Sequence, residues 1–468
     1  MADSYDLIVL GGGTGGYSCA LRAASLGMQV ALVEKEKVGG TCLHWGCIPT
    51  KAYLQAAEVA EHARDGGEYG VRSSFDGMDM PGLNKYKDAI VNANFKGLQA
   101  SLKSRGVDVV PGAGTLEDAQ SLSVSTEDGD RALQATRGLV LATGSKPRGV
   151  PIEGADIDGE LVITSDHAVH LDRVPEHAIV LGAGAVGVEF ATAWHGYGSD
   201  VTIVEMLDGL VPLEDADSRK ALQKSFKQQG ITSHVSTKAT KVEKGDGDVR
   251  VTIESSGGDQ STIEGDLLLV AIGRRPVTED MGFEDAGVKL DNGYVTVDDY
   301  LRPGPEGLYA VGDILAPPSL GLAHASFQEG FLVAEHAAGH SVVPIDYAGV
   351  PRVTYSHPEV SSVGLTEGQC KEQGFEYEKR SFPWSHNARA MMLKASGHVK
   401  VLAEKDGGRV LGIHIVGPHA TDLVAEAQLI YNWEALPTEV AQFIHPHPTL
   451  SEAIGEAHMA IAGKPLHG

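Results

Sequence analysis

The sequence predicts an α/β protein with two Rossmann-like domains and a C-terminal α+β domain. The first two domains are predicted because an apolar strand followed by G-x-G-x-x-G occurs twice. Each copy continues into a helical segment, a second apolar strand and an acidic residue. Residues 351–468 lack this pattern and show strands followed by helices, which is typical of a separate α+β domain.

The first copy of the pattern begins near the start of the sequence. Its elements follow one another closely: a strand at residues 6–10, a helix at 17–26 and a strand at 30–33. Gly11 permits a tight turn, Gly13 lets the backbone approach a pyrophosphate, and Gly16 lets the helix pack on the strand. The helix N-terminus then faces the phosphates. Glu34, at the end of the second strand, is placed to accept hydrogen bonds from a ribose, so this copy predicts a dinucleotide site.

The second copy repeats these parts at the same spacing. Its elements are a strand at residues 177–181, a helix at 188–197 and a strand at 201–204. The glycines are Gly182, Gly184 and Gly187, and the acid is Glu205. In both copies the acid lies 18 residues after the third glycine (34 − 16 and 205 − 187). A glycine motif alone also occurs in structural turns, but two complete copies favour two dinucleotide sites.

Other apolar strands end in turns that contain glycine. They are predicted at residues 138–141, which lead to Thr143 and Gly144, at 267–272, which lead to Gly273, and at 307–313, which include Asp313. In a doubly wound sheet such turns lie at the carboxyl ends of the strands, where cofactors bind. Residues 50–110 are predicted to be mostly helical. The C-terminal region is predicted to contain strands at 399–403 and 410–416 and a helix from about 422 to 435.

Composition and charge exclude several classes of protein. The chain has 468 residues, of which 42% are apolar and 22% charged, enough for several cores. The net charge of −25 disfavours nucleic acid and anionic membranes as partners. No apolar run approaches the roughly 20 residues that span a bilayer. The acidic start of the chain is unlike a targeting segment, and four cysteines are too few for a disulfide framework, so we expect a cytoplasmic protein.

Two cysteines, Cys42 and Cys47, lie close together in the segment G-G-T-C-L-H-W-G-C-I-P-T-K. Five residues of ideal helix advance about 7.5 Å, whereas a disulfide requires Cα atoms roughly 4.4–6.8 Å apart. The glycine and proline of this segment can supply the distorted turn that a bridge needs. Two packed thiols or half of a metal site are alternatives, but Cys19 and Cys370 form no second pair, so no metal is predicted. Beside a dinucleotide fold, the pair favours redox activity.

A second group of reactive side chains occurs near the end of the chain, in H-P-H-P-T-L-S-E at residues 445–452. Two imidazoles and the carboxylate of Glu452 could form a base and the group that orients it. The alternative is an exposed polar loop. A redox dithiol elsewhere favours the base, because thiol exchange needs a proton acceptor near the sulfur.

The cysteine segment, both glycine motifs, A-T-G at 142–144, A-V-G-D at 310–313 and the loop at 445–452 together resemble the pyridine nucleotide–disulphide oxidoreductase family. The resemblance covers essentially the whole chain. It implies FAD at the first glycine motif, NAD at the second, and a homodimer. Within the family, the cysteine segment and the histidine loop are most similar to members that oxidise dihydrolipoamide.

The resemblance also implies a role for each motif residue. Cys42 would exchange with the substrate, Cys47 would lie beside the flavin, and His447 of the partner subunit would act as a base oriented by Glu452. The residues implied for FAD are Gly11, Gly13, Gly16, Glu34, Thr143, Gly144, Asp313, Ala323 and His324, with Lys51 beside the flavin paired to Glu189. Those implied for NAD are Gly182, Gly184, Gly187 and Glu205, and Gly273 is a further cofactor-binding position.

The implied domain organisation has four parts. They are an FAD-binding domain at 1–149, an NAD-binding domain at 150–280, a central domain at 281–350 that completes the FAD site, and an interface (dimerisation) domain at 351–468. The implied partners are a lipoyl domain of a 2-oxo acid dehydrogenase complex and the lipoyl carrier of glycine cleavage. Pro446 departs from the small residue that relatives usually carry, and it would stiffen the histidine loop.

Glu205 favours NAD over NADP, because a carboxylate accepts hydrogen bonds from ribose hydroxyls and repels a 2′-phosphate. This disfavours a glutathione or mycothione reductase, and the tail without cysteine disfavours a mercuric reductase. The same scaffold could also serve a flavoprotein oxidase or peroxidase, or a non-catalytic flavoprotein scaffold subunit. The paired cysteines count against an oxidase or peroxidase, and a scaffold subunit would not need Cys42, Cys47 or His447.

Overall fold

The computed structural model describes residues 2–467, which form two compact units. The first unit contains residues 2–52, 81–148 and 274–347, and the second contains residues 53–80, 149–273 and 348–467. Each unit contains one of the two glycine motifs. The division into four functional domains remains a prediction.

Strands make up much of both units. Within residues 2–467 they are β1 (Asp3–Leu10), β2 (Val30–Glu34), β3 (Asp108–Pro111), β4 (Ala113–Leu116), β5 (Ser121–Thr126), β6 (Gly129–Leu141), β7 (Ser145–Pro147), β8 (Val162–Ile163), β9 (His177–Leu181), β10 (Asp200–Val204), β11 (Thr232–His234), β12 (Thr237–Lys244), β13 (Val249–Ser255), β14 (Gln260–Gly265), β15 (Leu267–Val270), β16 (Arg274–Pro276), β17 (Leu290–Asp291), β18 (Tyr294–Val295), β19 (Leu308–Ala310), β20 (Arg352–Thr354), β21 (Glu359–Gly364), β22 (Tyr377–Pro383), β23 (His398–Glu404) and β24 (Val410–Gly417).

The α-helices alternate with these strands. In the same range they are α1 (Thr14–Ser25), α2 (Gly40–His44), α3 (Cys47–Asp65), α4 (Met80–Ser104), α5 (Ser165–Ala168), α6 (Ala185–Tyr197), α7 (Ala216–Gln229), α8 (Ala323–Ala337), α9 (Glu367–Glu372), α10 (Ala388–Met392), α11 (Ala420–Asn432), α12 (Pro437–Val440) and α13 (Glu452–Ile461).

The first unit is built on a seven-stranded sheet in the order β3-β2-β1-β6-β5-β4, with β19 also paired to β6. β1 runs parallel to β2 and β6, and β19 runs parallel to β6. The register places Leu10 opposite both Val33 and Leu141, and Ala310 opposite Leu141. The four strands therefore end at one edge, from which the first glycine motif and the turns after β6 and β19 emerge. Their apolar residues form the core of the unit.

The second unit repeats this arrangement on a smaller scale. Its parallel sheet has the order β11-β10-β9-β15-β8, and the register places Leu181 opposite Val204 and Val270. The second glycine motif follows β9 at this edge. A separate antiparallel sheet in the order β20-β21-β24-β23-β22 forms the C-terminal part, with α11 and α13 packed against it. The α/β class and the C-terminal α+β domain are confirmed.

Several strand boundaries differ from the sequence prediction, among them those of β6, β15 and β19. β6 begins at Gly129, nine residues before the predicted start (138 − 129), because it forms an antiparallel hairpin with β5. β15 ends at Val270. β19 covers only Leu308–Ala310, because the chain turns at Gly312, which has a φ of +80° and begins a short 3₁₀ helix.

Lys400 in β23 carries a buried charge inside the second unit. Its Nζ lies 2.7 Å from the carboxylates of Asp215 and Asp217 and 2.9 Å from that of Glu367. The side chains of Lys400 and Asp215 are each only 1% exposed. Burial opposes ionisation of Asp215, but the charge of His414 and the hydrogen bond from Lys400 outweigh it and lower the pKa of Asp215 to about 2. The ion pairs of Lys400 with Asp215 and Asp217 thus connect the C-terminal sheet to the start of α7.

Lys400→Met is expected to lower the free energy of unfolding by about 3–5 kcal/mol, because it leaves the buried Asp215 carboxylate without its cation. Urea denaturation at pH 7 measures the loss. Lys405→Met is the control, since that exposed lysine pairs with the exposed Glu376 and its replacement should leave the free energy of unfolding nearly unchanged. The folded pKa of Asp215 lies below its unfolded value of about 4, so its stabilisation is present above pH 4 and is lost as the pH falls toward 2. Equal small losses in both variants would contradict this account.

Candidate active site

The first glycine motif has the geometry of a phosphate cradle. Gly11 has a φ of +105°, and a Cβ there would stand 2.2 Å from the carbonyl oxygen of Ala142. A Cβ on Gly16 would stand 1.8 Å from the Gly11 carbonyl oxygen, so neither position accepts a side chain. At Gly13, apart from its chain neighbours, no atom of residues 2–467 lies within 4 Å of an added Cβ. The described side chains leave the α1 N-terminus uncapped, so its N–H groups face this open space.

The second motif repeats this geometry at each glycine. Gly182 has a φ of +101°, and a Cβ there would stand 2.5 Å from the Ala271 carbonyl oxygen. A Cβ on Gly187 would lie 2.0 Å from the Gly182 carbonyl oxygen. A Cβ on Gly184 would meet no atom of the described chain within 4 Å apart from its own neighbours in the sequence. Both cradles therefore combine a tight turn, a close helix–strand contact and an open central position, and they fit the pyrophosphate of a dinucleotide.

The two acids are also held in the same way. Glu34 accepts hydrogen bonds from the N–H groups of Gly12 at 2.7 Å and Glu36 at 2.8 Å. Glu205 accepts them from Ala183 at 2.7 Å and Leu207 at 2.8 Å. Each carboxylate is thus fixed beside its glycine turn, with lone pairs left for a ribose.

A cation that the sequence analysis missed lies near Glu205. Arg219 in α7 hydrogen-bonds Asp208, three residues after Glu205. Its side chain is 18% exposed, and within residues 2–467 its buried Nε has no hydrogen-bond partner. Asp208 therefore neutralises the nearby guanidinium.

The two cysteines lie on either side of a break between helices. Cys42 belongs to α2, and Cys47 begins α3 after Trp45 and Gly46 interrupt the helical path. Both residues are thiols in this structure, and they share a hydrogen bond. That hydrogen bond, then burial and the negative charge of Cys47, raise the pKa of Cys42, and the nearby charge of Lys51 only partly offsets them. Cys42 therefore retains its proton beside Cys47.

Tyr17 in α1 is a neighbour of this pair that the sequence did not indicate. Burial, followed by the charges of Cys42 and Cys47, raises the pKa of its phenol to about 12. Its ring lies 5.7 Å from that of Phe327 in α8. The dithiol is therefore flanked by a tyrosine that stays neutral at physiological pH.

Asp313 is part of a hydrogen-bonded network in the first unit. Ser145 Oγ donates to Asp313 Oδ2 at 2.6 Å and accepts from Arg274 Nε at 2.7 Å. Arg274 also donates to the Ser145 carbonyl oxygen at 2.7 Å and to Thr41 Oγ1 at 3.4 Å. This arginine, which directly follows Gly273, thus connects the residue before Cys42 with Asp313. Its position after the glycine turn was the only signal in the sequence.

The remaining residues predicted around FAD also lie at this edge of the first unit. Thr143 Oγ1 donates to the Val277 carbonyl oxygen at 2.5 Å, and the Gly144 carbonyl accepts from the Val277 N–H at 2.9 Å. Gly144 has a φ of +73°, which its turn requires. Ala323 and His324 begin α8.

The histidine loop belongs to the second unit. His447 Nδ1 donates to Glu452 Oε1 at 2.8 Å, and the Thr449 N–H donates to Glu452 Oε2 at 2.7 Å. Burial of Glu452 opposes ionisation, but the hydrogen bonds from Thr449 and His447 dominate and lower its pKa. The His447 ring is 72% exposed, so its Nε2 is available as a proton acceptor. His445, by contrast, is largely buried and bonded to Glu426 at 2.7 Å.

Several predicted partners belong to different units. Lys51 lies in the first unit, and Glu189 lies in the second, where it is 5% exposed and accepts from the Tyr355 N–H at 3.0 Å. Their pairing, and that of the dithiol with His447, remain predictions. Among residues 2–467, no group of three His, Cys, Asp or Glu side chains could hold a metal ion. No helix in the described part of the chain could cross a membrane.

Comparison with known proteins decides the family. Residues 5–330 match the pyridine nucleotide-disulphide oxidoreductase family, and residues 350–458 match its dimerisation domain. The chain belongs to this family. As a pyridine nucleotide-disulphide oxidoreductase it uses FAD and NAD, as the resemblance implied.

Relatives of the pyridine nucleotide-disulphide oxidoreductase family resemble the chain over its full length. The chain is 38% identical to dihydrolipoyl dehydrogenase of Bacillus subtilis, with 100% of both chains covered. It is 37% identical to the mitochondrial dihydrolipoyl dehydrogenase of Pisum sativum, with 100% of this chain and 93% of the relative covered. The crystal structure of LpdA from Mycobacterium tuberculosis matches with a TM-score of 0.89 and 30% identity, over 98% of this chain and 100% of LpdA.

Proposed function

We propose that this oxidoreductase oxidises protein-bound dihydrolipoamide to lipoamide and transfers the electrons to NAD⁺. The observation that carries the proposal is the hydrogen-bonded pair of thiols at Cys42 and Cys47, on either side of the break between α2 and α3. Full-length relatives named dihydrolipoyl dehydrogenase support the choice of substrate. Bound FAD would supply the two-electron carrier between the dithiol and the nicotinamide.

The cofactors would be held by the residues around the two cradles. For FAD these are the first glycine motif, Glu34, the turn at Thr143 and Gly144, Asp313, the start of α8 at Ala323 and His324, and Lys51. For NAD they are the second glycine motif and Glu205, with Gly273 and Glu189 as further positions. The open spaces at Gly13 and Gly184 and the fixed acids beside them support this assignment.

Substrate oxidation would begin with the Cys42–Cys47 pair as a disulfide. His447 Nε2 takes a proton from one substrate thiol, while Glu452 holds the ring and stabilises the imidazolium. The substrate thiolate attacks the Cys42 sulfur, the Cys42–Cys47 bond breaks, and Cys47 leaves as a thiolate. The second substrate thiol then attacks the substrate sulfur bonded to Cys42. The lipoamide disulfide forms, the substrate–Cys42 bond breaks, and Cys42 leaves and takes the proton of that second thiol. The Cys42–Cys47 pair is thereby reduced by two electrons.

This order of steps leaves Cys42 as a thiol and Cys47 as a thiolate. Cys42 holds the proton, and the raised pKa of its thiol keeps it there. Cys47 is left as a thiolate, which must be reoxidised before the next turnover. Tyr17 near both sulfurs remains neutral and adds no charge to the site.

The proposal also includes the oligomeric state, the partners and the cellular location of the enzyme. The dimerisation-domain match at residues 350–458 supports a homodimer, in which His447 would reach the active site of the partner subunit. The substrate carriers would be the lipoyl domain of a 2-oxo acid dehydrogenase complex and the lipoyl carrier of glycine cleavage. We place the enzyme in the cytoplasm.

Glu205→Arg is expected to raise the NADP⁺/NAD⁺ ratio of kcat/KM about tenfold or more, because it removes a carboxylate that repels the 2′-phosphate and adds a cation. Arg219 contributes little here, since Asp208 neutralises it. Steady-state kinetics with both nucleotides measures the ratio. Glu205→Gln is the control, since it removes the charge without adding a cation and should gain less for NADP⁺. An unchanged ratio in Glu205→Arg would assign selectivity to other residues.

The function is tested by measuring NADH formation from NAD⁺ and dihydrolipoamide with the purified yellow protein. Parallel reactions contain NADP⁺ in place of NAD⁺, or reduced glutathione in place of dihydrolipoamide. We expect rapid turnover only with dihydrolipoamide and NAD⁺. Turnover with glutathione and NADP⁺ instead would identify another disulfide reductase, and no turnover with FAD bound would indicate a non-catalytic flavoprotein.

A further inference from the structure

Glu329 is a fully buried carboxylate in the first unit, at 0% exposure in the middle of α8. Its Oε2 accepts the Gly312 N–H at 2.6 Å. Its Oε1 accepts the Tyr347 hydroxyl at 2.9 Å and the Ser319 hydroxyl at 3.1 Å. One side chain thus connects three segments that are separate in the sequence.

Burying this acid is energetically unfavourable. Burial is the main cause that raises the pKa of Glu329, and the charge of Asp313 adds to it, whereas the hydrogen bonds from Gly312, Tyr347 and Ser319 oppose it. Burial and the charge of Glu329 likewise raise the pKa of Tyr347, so the tyrosine remains a hydrogen-bond donor. An apolar residue would fill the same space without this penalty. The carboxylate therefore has a use that packing does not explain.

The backbone that Glu329 holds is the turn before Asp313. Gly312 has a φ of +80°, which glycine adopts readily, and its N–H would otherwise be buried without an acceptor. The next residue, Asp313, is fixed from the other side by Ser145 at 2.6 Å and by Arg274 at 3.9 Å. Glu329 fixes the main chain of the turn, while Ser145 and Arg274 fix the Asp313 side chain.

We propose that Glu329 is a positioning residue for FAD, which orients the Gly312–Asp313 turn so that Asp313 meets the cofactor. This inference rests on the proposed function, because it needs FAD in the first cradle. The role is exerted through the hydrogen bond to the Gly312 N–H. The hydroxyls of Ser319 and Tyr347 hold the carboxylate in line for that bond.

The test is FAD affinity, measured by flavin fluorescence as FAD is titrated into the apoprotein. Glu329→Leu removes the acceptor at similar volume and should raise the Kd about tenfold or more. Glu329→Gln should stay within about threefold of wild type, because its amide oxygen can accept from Gly312 while its NH₂ donates to the two hydroxyls. Glu335→Gln in the same helix, which loses only the partly exposed pair with Arg22, should also stay near wild type.

If Glu329 served only the stability of the fold, the expected result would differ. Glu329→Leu would then lower the stability of the apoprotein to urea and leave the Kd for FAD unchanged, which would overturn the proposal. A Kd in Glu329→Gln as high as in Glu329→Leu would also overturn it, because charge and not the hydrogen bond would then be responsible. If Glu329→Leu does not fold, the double variant Ser319→Ala with Tyr347→Phe replaces it, and an unchanged Kd there overturns the proposal. Failure of the wild type to bind FAD would refute the proposed function itself.

Discussion

Replacing Cys42 by serine is expected to lower the rate of dihydrolipoamide oxidation about a thousandfold or more, because no disulfide can then form with Cys47. The same variant should retain long-wavelength absorbance from the Cys47 thiolate beside the oxidised flavin. Stopped-flow absorbance with dihydrolipoamide and a visible spectrum of the purified variant measure the two effects. Reduction of an artificial acceptor by NADH should continue, because it does not require the disulfide.

The physical reason for this asymmetry is the position of the shared proton. The hydrogen bond to Cys47, together with burial, holds the proton on Cys42, so the proposed mechanism assigns the negative charge to Cys47. A serine at position 42 can still donate a hydrogen bond to the Cys47 thiolate. A serine at position 47 leaves Cys42 without that neighbour and leaves no thiolate at the flavin.

The matched experiment is therefore Cys47→Ser, which should lose both turnover and the absorbance band. Retention of the band in Cys47→Ser and its loss in Cys42→Ser would show that the two roles are exchanged. Cys370→Ala is the control for the loss of a thiol, since Cys370 is buried among Leu402 and Leu411 in the second unit and should keep full activity. A substantial turnover in Cys42→Ser would refute the disulfide mechanism.

Short-range patterns predicted the two dinucleotide cradles well. Each glycine acts on atoms within about thirty residues or on the next strand of the sheet, so the motif itself determines the turn. The acids Glu34 and Glu205 lie at the end of the second strand in both copies, and the backbone N–H groups that hold them belong to the same loops. Local sequence is sufficient for the acids because the carboxylates and the N–H groups that hold them lie within one βαβ unit.

The rest of the site depends on contacts between distant segments. Arg274 reaches Ser145 across 129 residues and Thr41 across 233. No periodicity or spacing relates these positions, since the sheet topology alone brings them together. The sequence does not indicate the role of Glu329 either, because a glutamate in an amphipathic helix is usually an exposed residue. Only the structure shows that it is buried against Gly312.

The histidine loop illustrates a further limit of sequence reasoning. Both His445 and His447 stand near acids, and the pattern alone does not separate a base from a structural histidine. In the structure His445 is largely buried and its Nε2 is bonded to Glu426, whereas the exposed His447 is held through Nδ1 by Glu452. The exposed Nε2 therefore identifies His447 as the candidate base.

His447→Ala is expected to slow the reaction of the enzyme with dihydrolipoamide by about 10²–10⁴-fold, the range that general-base catalysis typically contributes. Without the imidazole, the substrate thiol has no acceptor for its proton when it attacks Cys42. Single-turnover kinetics with dihydrolipoamide measures this step. Reduction of an artificial acceptor by NADH should change by less than about twofold, because no substrate thiol is deprotonated in that reaction.

His445→Gln is the matched control in the same loop, since glutamine can keep the hydrogen bond to Glu426 and should leave the dithiol step near the wild-type rate. Glu452→Gln tests the orienting group. The lowered pKa of Glu452 keeps it ionised at neutral pH, where it stabilises the imidazolium that forms during proton transfer. Its amide should slow the dithiol step less than His447→Ala does, because the base remains. Equal slowing of the dithiol step and the NADH-driven step in His447→Ala would remove His447 from proton transfer and leave the loop a structural role.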